Sequence, residues 1–210
     1  MLEQLQKNYF FAVIRGKDEQ DAIEIARHAI KGGIRNIEIT FSTPNATKVI
    51  AQLSEEFADD SSVVIGAGTV MNTELAEQAI AAGAKFLVSP HFSQDIQIVA
   101  KVHENLYFPG CATATEIVTA SEAGCPIIKL FPGGVLGPGF IKDIHGPIPE
   151  VNLMPSGGVS LDNVAAWKKA GACAVGIGSA LASKVATDGY NSVTEIAEAF
   201  VKAAGDEPNV

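Results

Sequence analysis

The sequence predicts an α/β fold of the (β/α)8 TIM-barrel class, with a short N-terminal helix and a single domain spanning residues 1–210. Eight short apolar, β-branched segments begin about 20 to 30 residues apart, which accommodates one strand and one helix per unit. No linker divides the chain, and its 210 residues, 47% of them hydrophobic, suit one substantial core. A doubly wound open sheet is the structural alternative, but eight parallel units in this length favour a barrel. The candidate strands are Phe10–Ile14, Ile34–Ile39, Val63–Ile65, Phe86–Val88, Leu106–Phe108, Ile127–Leu130, Asn152–Met154 and Ala174–Gly176.

Residues that start and end helices lie between these strands, where the alternation requires them. Side chains that cap helix amino termini occur at Asp18, Thr43 followed by Pro44, Asn72, Ser93, Thr113 with Glu116 three residues on, and Ser160. Glycines that commonly end helices occur at Gly32-Gly33, Gly83, Gly124 and Gly171. We therefore expect helices between the predicted strands.

Composition and charge argue against several classes of function. A net charge of -9 argues against nucleic acid as the main partner, because binding a phosphate backbone requires a basic surface. No window has the roughly 18 apolar residues of a membrane span, and the start lacks a targeting pattern, so a cytoplasmic protein without a membrane partner is expected. Cys111, Cys125 and Cys173 lack disulfide or metal-ligand spacing, which indicates reduced structural cysteines and no metal site.

Lys129 is the residue at which the sequence first indicates chemistry. It lies in the apolar run Ile127–Phe131, which Pro132-Gly133 ends, at the carboxyl end of the sixth predicted strand. Active sites of this fold lie at the carboxyl ends of the strands, and a desolvated amine there can attack a carbonyl to form a Schiff base. The alternative is a strand-end lysine that buries its stem and extends its charge into water.

Glu38 belongs to the alternating segment Ile37-Glu38-Ile39-Thr40-Phe41 of the second predicted strand. The apolar side should contact the helices, which directs Glu38 and Thr40 into the barrel mouth. Beside Lys129, a partly desolvated carboxylate suits general acid/base catalysis. A glutamate that only holds a neighbouring lysine or backbone amide is the alternative.

Glycine-rich segments follow three of the predicted strands. Gly157-Gly158 and Gly178-Ser179 follow strands seven and eight, where this fold commonly builds a phosphate site from backbone amides and a helix amino terminus. Gly66-Ala67-Gly68 precedes Thr69, and the amides and hydroxyl of this turn could bind a carboxylate. Tight turns without a ligand remain the alternative for each segment.

Three single residues support weaker inferences. Arg15 ends the first strand and offers a bidentate donor to a carboxylate, although a solvated arginine is equally compatible. His91 has no partner at metal-ligand spacing and is interpreted as solvated at the rim. Trp167 lies at helical spacing from Val164 and is expected to pack.

Six short segments at the predicted strand ends form an ordered set. They are Glu38-Ile39-Thr40, Gly66-Ala67-Gly68-Thr69-Val70, Ser89-Pro90-His91, Ile128-Lys129-Leu130-Phe131-Pro132, Pro155-Ser156-Gly157-Gly158-Val159 and Gly176-Ile177-Gly178-Ser179. In this order they resemble the 2-keto-3-deoxy-6-phosphogluconate (KDPG) / 4-hydroxy-2-oxoglutarate (KHG) aldolase family, over about Phe10 to Ala182. The resemblance implies a class I, metal-independent, cofactor-free aldolase, usually a homotrimer. It also implies cleavage of a phosphorylated 2-keto-3-deoxy sugar acid to pyruvate and glyceraldehyde 3-phosphate.

The resemblance implies a role for particular residues. Lys129 corresponds to the Schiff-base lysine, Glu38 to the proton-transfer glutamate and Thr69 to the threonine that binds the pyruvate carboxylate. Phe131 would pack beside the bound pyruvate unit. The other matched residues expected to bind substrate are Pro90, Ser156, Gly157, Gly158, Gly178 and Ser179, of which the last four belong to the phosphate loops.

The chain departs from the family pattern at Ser42, where many members carry a carboxylate-binding arginine. Other members carry an arginine at the end of strand 1, so we expect Arg15 to supply this cation. The segment 110–116 is similar to relatives that act on the galactonate epimer, whereas 130–133 is similar to the gluconate type, and both substrates remain open. A phosphate-binding isomerase or synthase barrel is the alternative of another class; it would share the loops after strands seven and eight but would not require Lys129.

Overall fold

A computed structural model describes residues 1–203 and 205 of the chain, and in these residues parallel strands alternate with helices. The strands are β1 (Phe10–Ile14), β2 (Asn36–Thr40), β3 (Val64–Gly68), β4 (Phe86–Val88), β5 (Leu106–Phe108), β6 (Gly110–Cys111), β7 (Ile128–Leu130), β8 (Leu153–Pro155) and β9 (Val175–Ile177). The helices are α1 (Leu2–Asn8), α2 (Glu19–Lys31), α3 (Ala46–Glu56), α4 (Thr73–Ala81), α5 (Gln94–Val102), α6 (Ala114–Glu122), α7 (Gly133–His145), α8 (Val164–Ala170), α9 (Val185–Asp188) and α10 (Asn191–Ala203). Each predicted strand overlaps an observed one, and the expected N-terminal helix is α1.

The strands form a curled parallel sheet whose hydrogen-bonded ladder consists of two parts. One part has the order β5-β4-β3-β2-β1-β9 and the other the order β6-β7-β8. Pro109, which has no N–H to donate, separates β5 from β6. The continuous segment 106–111 therefore pairs with β4 through β5 and with β7 through β6. A single bridge between Ser156 and Gly176 connects the segment after β8 with β9. The sequence did not predict the division at Pro109.

Apolar side chains cover both faces of this sheet. Ile37 and Ile39 of β2 belong to the large cluster between the strands and the helices, as the alternation in β2 predicted. A second cluster lies on the opposite face, where Phe11 makes edge-to-face contacts with Phe86 and Phe108 at ring distances of 5.3 and 6.2 Å. Leu5 of α1 is fully buried in the second cluster. Helix α1 therefore packs against the sheet face opposite to the other helices.

A buried amide attaches α1 to the beginning of β2. Asn36 is fully buried, and its side chain donates to the Leu5 carbonyl at 2.9 Å. Its oxygen accepts from the side chain of Asn8 at 2.7 Å. Asn36, Glu38 and Thr40 are two residues apart along β2 and therefore lie on the same face of the strand. This face contacts α1 at the amino end of β2 and carries Glu38 towards the carboxyl end of β2.

Most of the predicted helix boundaries are confirmed. The side chains of Asp18, Asn72, Ser93 and Thr113 cap helices, and Thr113 and Glu116 form the expected capping box. The glycines expected at helix ends, Gly33, Gly83, Gly124 and Gly171, adopt φ values between 88° and 101°.

Two predicted helix starts are wrong, one by two residues and the other by three. Helix α3 follows Asn45 rather than Thr43, whose hydroxyl instead accepts from the backbone N–H of Gly16 at 3.1 Å. Helix α8 follows Asn163 rather than Ser160, because the Asn163 side chain folds back to accept from the Ser160 N–H at 2.9 Å. The first shift involves a partner remote in sequence, whereas the second involves a residue only three positions away.

The remaining expectations from composition concern cysteines, packing and metals. Cys111 and Cys125 are buried and Cys173 is half-buried; all three are free thiols. Trp167 is 1% exposed and packs in the large cluster, as predicted.

Within residues 1–203 and 205, no group of three or more metal-binding side chains is found. In the same residues, no helix combines the length and the apolar character needed to cross a membrane.

We predict that Asn36→Ala lowers the free energy of unfolding by about 1 to 3 kcal/mol, because it removes a fully buried amide that hydrogen-bonds both the Leu5 carbonyl and the Asn8 side chain. Urea denaturation followed by circular dichroism measures this. Gln4→Ala is the matched control, because it removes a partly exposed hydrogen bond to Asn8 within α1 and should cost less than about 1 kcal/mol. Equal losses for the two variants would contradict the role given to Asn36.

Candidate active site

Lys129 and Glu38 lie together on the inner face of the curled sheet, near the carboxyl ends of β7 and β2. Lys129 is 4% exposed and Glu38 is 1% exposed. The Lys129 Nζ lies 3.9 Å from the Glu38 Oε1. Lys129 therefore does not extend into water, and the interpretation of a solvated strand-end lysine is wrong.

The position of Glu38 depends on a glycine in the neighbouring strand. Glu38 pairs with Gly66 of β3, and its side chain lies over Gly68. A Cβ at Gly68 would come within 2.7 Å of the Glu38 Cδ and would overlap the carboxylate. Both Glu38 carboxylate oxygens are buried and accept no hydrogen bond from any described residue. The carboxylate thus faces Lys129 with its hydrogen-bonding capacity unused.

The backbone ladder and an aromatic ring fix Lys129. Its neighbours in register are Gly110 of β6 and Met154 of β8, and its N–H donates to the Pro109 carbonyl at 2.9 Å. The ammonium lies 5.2 Å from the centre of the half-buried Phe131 ring, within range of a cation–π contact. Phe131 follows β7 directly, so the residue predicted to pack beside a substrate already contacts the amine.

A pocket of about 130 Å³ is connected to this pair through Phe131, which lines the pocket and contacts the Lys129 amine. It brings together seven of the predicted substrate-binding residues, namely Arg15, Phe131, Ser156, Gly157, Gly158, Gly178 and Ser179. Its shape depends on close contact between two glycine pairs, because a Cβ at Gly158 would lie 2.7 Å from the Gly134 Cα. Gly157 and Gly158 have φ values of 80° and 78°, which side chains other than glycine rarely adopt.

Arg15 supplies the positive charge in this pocket. Its side chain is exposed, and its guanidinium lies beside Gly178, where a Cβ would be 3.3 Å from the Arg15 Nη1. Among the described residues it has no ion pair or hydrogen-bond partner. A guanidinium beside glycine backbones can bind a carboxylate or phosphate through bidentate hydrogen bonds.

Thr69 and Pro90 lie at strand ends but outside the pocket that contains Arg15. Thr69 is half-buried, follows Gly68 directly and has a φ of 57°, an unusual value for threonine. Pro90 packs against β6, where a Cβ at Gly110 would overlap the Pro90 carbonyl. Thr69 thus follows the glycine that contacts Glu38, and Pro90 contacts the glycine that flanks Lys129 in the ladder. Their contact with a substrate remains a prediction.

The sequence did not reveal a buried network after β4. The Ser89 hydroxyl donates to the His91 carbonyl, and Tyr107 of β5 contacts the same carbonyl at 2.9 Å and the Ser89 hydroxyl at 2.5 Å. Burial raises the pKa of Tyr107 to about 12, so it remains a neutral hydroxyl. His91 is solvated only in part: the residue is half-buried, and its Nδ1 is buried and has no hydrogen-bond partner in the described part of the chain.

A larger cavity of about 390 Å³ lies among the amino end of β3 and the residues around Met1, Phe57 and Lys85. It contains none of the predicted site residues. The smaller pocket is the better candidate, because it is lined by seven of the predicted site residues, among them Phe131, whose ring contacts the buried Lys129 amine. The arrangement is suited to Schiff-base chemistry. It combines an amine that can attack a carbonyl, a carboxylate that can transfer protons and a pocket that can bind an anion.

Comparisons with known proteins agree with this arrangement. A family model described as KDPG and KHG aldolase matches residues 1–196. A 2-dehydro-3-deoxy-phosphogluconate aldolase of Treponema pallidum is 35% identical over 209 residues, covering 98% of each chain. A 2-dehydro-3-deoxy-6-phosphogalactonate aldolase of Escherichia coli is 32% identical over 193 residues, covering 91% of this chain and 92% of the relative.

A solved structure with pyruvate bound covalently is also similar. It is the KDPG aldolase of Legionella pneumophila with pyruvate captured as a carbinolamine, and it superposes with a TM-score of 0.83 at 28% identity. The match covers 94% of this chain and 96% of that one. Because the family model matches residues 1–196 and the Treponema aldolase is similar over nearly the whole length, the chain belongs to the KDPG and KHG aldolase family.

Proposed function

We propose that the protein is a class I aldolase that cleaves 2-dehydro-3-deoxy-6-phosphogluconate to pyruvate and D-glyceraldehyde 3-phosphate. We also propose that it cleaves 4-hydroxy-2-oxoglutarate to pyruvate and glyoxylate. The observation that carries the proposal is the buried Lys129 amine, 3.9 Å from the Glu38 carboxylate. The similar Treponema protein named for the gluconate substrate supports this choice over the galactonate epimer.

The mechanism uses Lys129 as nucleophile and Glu38 as proton carrier. The neutral amine attacks C2 of the keto acid to give a carbinolamine, which loses water with Glu38 relaying protons and becomes a protonated imine. Glu38, through a water molecule, takes the proton of the C4 hydroxyl. The C3–C4 bond breaks, its electron pair enters the imine, and the aldehyde leaves. The resulting enamine is protonated at C3, and hydrolysis releases pyruvate and Lys129.

The remaining predicted residues bind the substrate at its two anionic ends. Thr69 binds the carboxylate together with Arg15, and Pro90 lies at the same rim. Phe131 packs against the pyruvate unit. The phosphate binds to the backbone of the glycine loops, Ser156, Gly157, Gly158, Gly178 and Ser179, whose glycines allow the chain to approach an anion closely.

We also propose a closed eight-stranded barrel in one domain over residues 1–210, in which β5 and β6 are two halves of one strand. The pairing of this segment with both β4 and β7 supports closure on one side, and the Ser156–Gly176 bridge supports it on the other. A homotrimer in the cytoplasm is proposed from the family resemblance. Exposed Ile98 and Val102 of α5 and Val118 of α6 offer apolar surface that a subunit interface would cover.

Steady-state turnover tests the proposed activity. The wild-type protein should release pyruvate from the phosphorylated gluconate-derived substrate, measured by coupled oxidation of NADH with lactate dehydrogenase. Lys129→Arg retains the charge but cannot form the imine, so activity should fall to background. An isomerase or synthase would release no pyruvate, and full activity of Lys129→Arg would contradict the assigned nucleophile.

Gly68→Ala should reduce kcat, because the added methyl displaces the Glu38 carboxylate from Lys129. Glu38→Gln, which retains the shape of the side chain, should reduce kcat by about 100- to 10,000-fold, the usual contribution of one acid/base group. Both variants should still bind pyruvate. A Gly68→Ala enzyme with wild-type kcat would contradict the dependence of Glu38 on this glycine.

Arg15→Ala should raise the KM for the keto acid, because it removes the cation beside the pocket. Measurement with two substrates identifies the anion that Arg15 binds. An increase for both the phosphorylated substrate and 4-hydroxy-2-oxoglutarate indicates the carboxylate, as we propose, whereas an increase for the phosphorylated substrate alone indicates the phosphate. An unchanged KM for both would exclude a binding role.

A further inference from the structure

We propose that Thr43, Thr40 and Asp21 position Arg15 by fixing the backbone on both sides of it, so that they act as positioning residues for substrate binding. This inference rests on the proposed function, in which Arg15 binds the substrate. Neither the sequence nor the family comparison assigned a role of this kind to any of the three. They lie on two different elements, β2 with its following loop and α2, which converge on the end of β1.

Three side chains bind three backbone groups that lie on either side of Arg15. The Thr40 hydroxyl donates to the Ile14 carbonyl at 2.8 Å. The Gly16 N–H donates to the Thr43 hydroxyl at 3.1 Å, in a fully buried contact. The Lys17 N–H donates to the Asp21 carboxylate at 2.9 Å. The backbone from residue 14 to residue 17 is therefore held in one conformation.

A second layer of contacts orients two of these side chains. Because the only proton of the Thr40 hydroxyl goes to Ile14, the contact at 2.7 Å with Ser42 requires that Ser42 donate to Thr40. The Tyr190 hydroxyl donates to the other Asp21 oxygen at 2.8 Å, which connects the segment before α10 to the same loop. This hydrogen bond raises the pKa of Tyr190 to about 12, in agreement with a tyrosine that serves as a donor.

Ordinary helix capping does not explain the whole arrangement. Asp21 is in the first turn of α2, and its contact with Lys17 alone could serve only to start that helix. Thr40 and Thr43, however, belong to the β2 region, and Thr43 binds Gly16 instead of capping α3. Gly16 also packs closely against the first turn of α2, because an added Cβ there would be 2.7 Å from the Ala22 Cβ. The contacts thus converge on the backbone of Arg15.

The three backbone contacts matter for Arg15 because its side chain makes no contact of its own with the described residues that would fix its position. It is exposed, and within residues 1–203 and 205 it has no hydrogen bond or ion pair. A long, flexible side chain reaches a ligand with low entropic cost only when its backbone origin is fixed. Loss of the anchor should therefore weaken binding without altering the reaction of Lys129 and Glu38.

Kinetics of matched variants of the full-length protein test the inference. Thr43→Val removes the acceptor for Gly16 with little change of shape and should raise the KM about 5- to 10-fold at nearly unchanged kcat. Thr43→Ser, which restores the hydroxyl, should restore the KM. Asp21→Ala should act like Thr43→Val, whereas Asp21→Asn, which retains an acceptor for Lys17 and a group that can bind Tyr190, should remain close to wild type.

Thr194→Val is the control for general loosening of this region. Thr194 binds the His28 carbonyl at 3.1 Å and so connects α10 to α2 without contacting the Arg15 loop. This variant should lower the melting temperature without raising the KM. In an Arg15→Ala background, Thr43→Val should produce no further increase.

The outcomes separate the two levels of the proposal. If Arg15→Ala raises the KM but Thr43→Val and Asp21→Ala do not, the positioning inference is wrong and the binding role of Arg15 stands. If Thr43→Val raises the KM equally in the presence and absence of Arg15, or if Thr194→Val has the same effect, the three residues act on general stability. An unchanged KM in Arg15→Ala would overturn both proposals.

Discussion

A lysine and a glutamate that are both nearly inaccessible to water must face each other inside this sheet, and much of the local structure follows from that requirement. Removing either charge from water is costly unless an opposite charge is close, and here the Lys129 Nζ and the Glu38 Oε1 are 3.9 Å apart. Gly68 leaves the space that the carboxylate occupies, and the Phe131 ring contacts the amine from the other side. The two charges are close enough to stabilise each other. Because Glu38 has no hydrogen-bond partner among the described residues, its carboxylate is free to accept a proton from a bound hydroxyl.

The site combines a rigid reaction centre with an exposed anion-binding end. The reaction centre is held by strand pairing, in which Lys129 is flanked by Gly110 and Met154. The anion-binding end depends on glycine backbones packed against each other and on Arg15, whose side chain is exposed. This difference explains why the backbone around Arg15 receives three side-chain hydrogen bonds, while Lys129 is fixed by its ladder neighbours. Precise placement of both ends lowers the entropic cost of holding a substrate with its keto carbon at the amine.

Features that depend on local pattern could be predicted from the sequence. The strands, the capping box at Thr113 and the opposite orientations of Ile37 and Glu38 all follow from short-range periodicity or from a few adjacent residues. The proximity of Lys129 and Glu38 also followed, because parallel strands bring their carboxyl ends together. The division of the fifth strand at Pro109, the burial of the His91 Nδ1 and the binding of Thr43 to Gly16 did not follow. Each depends on partners remote in sequence, which periodicity does not identify.

Reduction of the protein with borohydride in the presence of pyruvate, followed by mass analysis of its peptides, tests the central claim most directly. A reversible imine becomes a stable secondary amine, so the modified residue can be located. The account predicts one adduct of reduced pyruvate, on the peptide that contains Lys129, and no adduct in Lys129→Arg. An adduct on a different lysine, or none in the wild-type protein, would contradict the assignment of Lys129 as the residue that forms the Schiff base.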